Sequence, residues 1–104
     1  MKILKQILEI KDKAKYCVAG GFVRPLSVAE QRGNLVLYYE TNANVDQFFP
    51  NNYCVLTVYI VGTGHDRRDI PDNANYIGTV VMSYGLVWHV FARHSEIIEE
   101  EKKP

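Results

Sequence analysis

Nine consecutive residues, Tyr53 to Val61 (YCVLTVYIV), constrain the fold more than any other part of the chain. Only Thr57 among them is polar, and β-branched and aromatic side chains dominate, so the run reads as a strand covered on both faces. Such a strand needs one layer above it and another below. A chain of 104 residues can supply that cover around a single core.

Most other segments also read as extended. FVRPLSVAEQ (Phe22 to Gln31), RGN and LVLYYET (Leu35 to Thr41) predict strand, tight turn and strand, with the positive φ of the turn on Gly33 and Asn34. YIGTVVMS and LVWHVFARH, joined across Ser83, Tyr84 and Gly85, predict a second hairpin at the centre of the fold. Alternation there puts Leu86, Trp88 and Val90 on one face, and Val87, His89 and Phe91 on the other. ILKQILEI fits a helical stripe through Ile3, Ile7 and Ile10 or an opening strand; in a chain of strands, the strand is preferred. TNANVDQFFPNN reads as a connection whose Phe48 and Phe49 tuck back onto the core. SEIIEEEKKP is a charge run, at most a short helix, so the domain is assigned to residues 1–94 and a tail to 95–104.

The expected fold class is all-β: a small antiparallel sheet of about six to seven strands, rolled into a barrel or sandwich. Strand faces that are apolar on both sides exceed what so small a layer can cover, so a homo-oligomer is expected.

Twelve Lys plus Arg balance twelve Asp plus Glu, a formal net charge of zero. No overall field then favours bulk nucleic acid or an anionic membrane, and any anion site must be local. Lys2, Lys5 and Glu9 interrupt the first apolar run, which argues against a signal peptide or membrane span and for a cytoplasmic protein. Cys17 and Cys54 have no paired spacing and are expected as free, buried thiols.

The densest chemistry is VGTGHDRRD, Val61 to Asp69. Gly62 and Gly64 bracket Thr63 at a strand end, where backbone amides can converge on an anion and His65, Arg67 and Arg68 can add donors. The plainer alternative is a corner with solvated arginines. The longer glycine spacing, lysine and following helix of a phosphate loop are missing. Trp88 reads as a core anchor whose indole N–H needs a partner, and His89 as a neutral, hydrogen-bonded histidine able to reach His65. Tyr76 and its fellow tyrosines, near Arg93 and the loop arginines, suit a nucleotide-sized ligand. The candidate ligand-binding set is therefore Gly62, Thr63, Gly64, His65, Arg67, Arg68, Tyr76, His89 and Arg93. His65, Asp66, Asp69, His89 and His94 lack metal-ligand spacing, so neither metal nor cofactor is expected. Ser83 and Cys54 lie outside any nucleophile elbow. A non-enzyme is expected, with a hydrolase using His65 and Asp66 as the weaker alternative.

YIVGTGH, NYIGTVV and LVWHVFAR occur in that order, preceded by LSVAEQRGNLVLYYET. Together they resemble a family of small tailed-phage and prophage proteins of unknown function, with GTGH, YIGT and VWHVF blocks, over roughly Leu26 to Arg93. Val61 stands where that family usually has tyrosine, and DRRDIPDNA replaces a proline-rich stretch. The resemblance implies a phage origin, expression in the cytoplasm of an infected bacterium and an accessory role. The expected function is a non-enzymatic binding protein that sequesters a host nucleotide immune signal. The alternatives are a protein–protein inhibitor of a host defence complex, such as an anti-CRISPR, and a phage structural accessory protein.

Overall fold

The computed structural model describes residues 2–19, 21–42, 52–66 and 69–98. Seven strands follow in order: β1 (Lys2–Leu8), β2 (Lys13–Ala19), β3 (Phe22–Gln31), β4 (Asn34–Thr41), β5 (Asn52–Gly62), β6 (Asn75–Val81) and β7 (Val87–Ile98). They form two antiparallel sheets, β1-β4-β3 and β2-β5-β7-β6, which face each other as an open sandwich rather than a closed barrel. The described residues contain no helix long and apolar enough to cross a membrane.

Alternation builds the core between the sheets. Leu8, Leu35, Leu37 and Tyr39 of the smaller sheet meet Cys54, Leu56, Val58, Ile60, Val90 and Ala92 of the larger one, all buried. Each such aliphatic side chain contributes roughly 1.5–3 kcal/mol through burial. On the opposite face of β5, Tyr59 packs with Phe91 of β7 and with Ile70 and Ala74 of the segment before β6. One sheet and one loop thus provide the two layers that YCVLTVYIV demands.

The turns depart from expectation in detail. Positive φ falls on Arg32 (53°) and Gly33 (83°), while Asn34 already pairs with Gln31. The two central residues of a primed hairpin turn both need positive φ, so the corner lies one residue earlier than predicted. At the second hairpin Gly85 has φ 99°, and its N–H donates to the Met82 carbonyl at 2.9 Å. That hairpin is not central. β5 occupies the other side of β7 from Trp88 to Ile98, which leaves β6 at the sheet edge.

β7 runs on through Ile98, opposite Asn52. Ser95–Ile98 therefore belong to the sheet instead of a helical tail, because the start of β5 offers their backbone a partner. Residues 99–104, and Phe48 and Phe49, lie outside the described residues. Neither cysteine forms a disulfide, and of the two only Cys54 is buried. Cys17 is exposed on β2, in phase with Lys13 and Lys15 on the outward face of an edge strand.

The sheets are clasped on one flank. The Ser83 amide and hydroxyl donate to the two Glu30 carboxylate oxygens at 2.8 and 2.7 Å, tying the β6–β7 turn to β3. Nearby, Gly78 of β6 lies so close to Val28 of β3 that a Cβ would sit 3.0 Å from Cγ2.

Candidate functional site

The glycine-rich corner is a β-turn. The His65 N–H donates to the Gly62 carbonyl at 3.0 Å, and Gly64 holds φ +89°, the left-handed value required at the third position of a type II turn. Its geometry therefore spends the His65 amide inside the turn instead of offering it to an anion nest.

Beside this corner the sheet opens. Pairing of β2 with β5 stops at Lys13 opposite Tyr59, whereas β5 continues along β7 to Gly62 opposite Trp88. On the β2 side, the last residues of β5 border a notch of about 630 Å³. Its apolar walls come from Ile10, Tyr59, Ile60, Ile70 and Trp88, and its rim carries Lys11, Asp12, Lys13, His65, Asp66 and Asp69. The rim is charged with both signs. Lys11 pairs with Glu9 at 3.6 Å, but both ends are exposed, so the contact contributes little.

Gly62 shapes the floor. A Cβ there would lie 3.3 Å from His65 Cδ2 and 3.4 Å from Trp88 Cζ3, so the missing side chain lets an imidazole and an indole approach the strand together. Trp88 packs against the main core as expected for an anchor. Its Nε1 nevertheless is buried without an acceptor among the described residues, contrary to the usual pairing of a buried indole.

His89 faces the other way. Its Nε2 lies 2.8 Å from Thr63 Oγ1 and its Nδ1 lies 2.9 Å from Thr79 Oγ1. Thr79 in turn bonds the Tyr76 hydroxyl, and the Tyr76 ring meets Phe91 edge-on at 5.4 Å. A neutral imidazole satisfies both hydroxyls, donating from one nitrogen and accepting at the other. His89 and His65 are thus held on opposite sides of the sheet end, because adjacent strand positions point to opposite faces.

The predicted set therefore divides. Gly62 and His65 border the notch; Thr63, Tyr76 and His89 form the hydroxyl–imidazole chain; Gly64 makes the turn. Arg93 lies farther along β7, in a separate depression. Arg67 and Arg68 lie outside the described residues. Of the candidate nucleophiles, Ser83 is held by Glu30 and Cys54 is fully buried. Sequence reading missed Lys11, Lys13 and Tyr59 as notch residues, since only the β2–β5 register brings them to Gly62.

Fold and site together define a small all-β sandwich-like domain with an open, mixed-charge notch at the end of β5. The chain belongs to the family described as Domain of unknown function (DUF7352), whose model matches residues 1–101. Comparison with curated proteins and with solved structures returned no match.

Proposed function

We propose that this domain is a non-enzymatic, phage-encoded binding protein that sequesters a nucleotide used as an immune signal by the bacterial host. The notch carries this reading. Its volume of about 630 Å³ falls within the span of small-molecule sites, and its wall offers Trp88 and His65 to a flat ring. Lys11 and Lys13 suit phosphate, while Asp66 and Asp69 suit ribose hydroxyls. Titration calorimetry with cyclic nucleotides and ADP-ribose derivatives tests the reading, with Gly62→Val as the blocked control. Binding by the wild type that the control loses supports it; no binding across the panel overturns it.

Self-association is part of the proposal. β1 is an edge strand without irregularity, and its outer face exposes Ile3 (64%) and Ile7 (53%) on either side of Lys5. A two-fold axis through Lys5 would set Ile3 of one copy against Ile7 of the other. The second reading, a protein–protein inhibitor of a host defence complex, draws on Val81, Tyr84 and Leu86, exposed around the β6–β7 turn.

A further inference from the structure

A second depression, of about 480 Å³, lies on the outer face of the larger sheet, apart from the notch. Lys15, Thr57 and Arg93 form one row across three strands: Lys15 pairs with Thr57 on one side, and Thr57 with Arg93 on the other. Neighbouring strands run about 4.8 Å apart, so the two cations stand roughly 10 Å apart at their Cα atoms with the threonine between them. Val55, Asn73, Asn75, His94 and Ser95 complete the wall, and among the described residues no carboxylate lines it.

Charge and hydrogen bonding are both left open here. Among the described residues neither Lys15 nor Arg93 enters an ion pair. Thr57 is 94% buried at the floor, and its hydroxyl has no hydrogen-bond partner among the described residues. Trp88 Nε1 is the only sealed, unpartnered polar side-chain atom among the described residues, so the Thr57 hydroxyl reaches the open depression, where it is available to a ligand. Two cations in one row, with two hydroxyls and two amides, match an anion with several oxygens better than a planar carboxylate with two.

We propose that this depression is a phosphate site, taking the phosphoryl group of a small phosphorylated molecule between Lys15 and Arg93, with Thr57 donating from below. The zero net charge of the chain and the concavity of the site argue for a small ligand over a nucleic-acid backbone. The site is independent of the notch, because Ile70 and Ala74, packed on Tyr59 and Phe91, stand between the two.

Amide-resolved NMR titration with inorganic phosphate, against sodium chloride at matched ionic strength, is the direct test. Phosphate-specific shifts at Thr57, Arg93 and Asn75 are expected. Arg93→Gln and Lys15→Gln should each weaken binding about tenfold, the loss of a charge-assisted contact. Both side chains are exposed, so these variants should keep the wild-type melting temperature, and calorimetric binding at the notch should be unchanged. Thr57→Val should weaken binding several-fold; if it also unfolds the domain, the two exposed variants decide alone. Shifts no larger than those from chloride, or unaltered affinity in Arg93→Gln, would overturn the proposal. Tighter binding of a single-stranded oligonucleotide than of a nucleoside monophosphate would also overturn it, reassigning the depression to nucleic acid.

Discussion

Gly62 faces Trp88 across the β5–β7 ladder, where a Cβ at position 62 would stand 3.4 Å from the indole Cζ3 and 3.3 Å from His65 Cδ2. Gly62→Val should therefore overpack the corner and displace His65 or Trp88. Overpacking of this kind typically costs about 1–3 kcal/mol, which denaturant unfolding would register as an earlier midpoint at unchanged slope. An unchanged midpoint would mean that the two rings yield freely.

Trp88 itself separates packing from polarity. Trp88→Ala removes a large side chain lying against the main core and should cost about 3 kcal/mol, the low end for aromatic truncation because the ring is only partly buried. Trp88→Phe should cost less than about 1.5 kcal/mol, since the lost N–H has no acceptor among the described residues. Equal losses in the two variants would show that the indole nitrogen is paired in solution.

Much of the architecture was legible in the sequence. YCVLTVYIV announced a doubly covered strand, and the alternation through VWHVFAR correctly divided Val90 from His89 and Phe91. β2 carried a weaker signal: Lys13–Ala19 mixes lysines, a tyrosine and a cysteine, and its place beside β5 depends on long-range pairing. The same limit hid both depressions. Lys13 and Tyr59 meet at the notch, and Lys15, Thr57 and Arg93 in the row, only through registers that link distant segments. The glycine loop was conspicuous because its residues are contiguous, which says nothing about which side of the sheet each side chain faces.

The Ser83–Glu30 pair should stabilise the sandwich modestly. Glu30→Gln replaces a charge-assisted acceptor with a neutral amide and should cost about 0.5–1.5 kcal/mol, limited by solvent around the turn. A double-mutant cycle with Ser83→Ala would check it, with a coupling near zero excluding a contribution from the contact.

Burial raises the Tyr39 phenol above its ordinary value, and the neighbouring Cys54 thiol adds to the effect when charged. Above pH 10 the unfolded chain loses this proton before the folded one does, so the folded state binds more protons and stability falls as pH rises. Tyr39→Phe should flatten that alkaline decline. Melting temperatures of both proteins between neutral pH and pH 11 or so would decide it, with parallel curves assigning the decline elsewhere.

Association through β1 predicts a dimer at micromolar concentration by light scattering, twice the 11.9 kDa chain. Ile3→Lys and Ile7→Lys should each shift it toward monomer without lowering folded stability, because both side chains are exposed in the single chain. A wild-type monomer would rule this association out.

The clasp between β3 and β6 gives the sandwich a spine. Ser83, Glu30, Gly78 and Val28 bind the two sheets along that flank, while the opposite flank ends in the edge strands β1 and β2, joined by the Glu9–Asp12 turn. That margin, where the notch begins, is held by the turn and by one hydrogen bond from the Glu9 N–H to the Tyr16 hydroxyl at 2.7 Å. Backbone amides of β1 and β2 should exchange with solvent deuterium well before those of β5 and β7, and a ligand seated in the notch should slow that margin first.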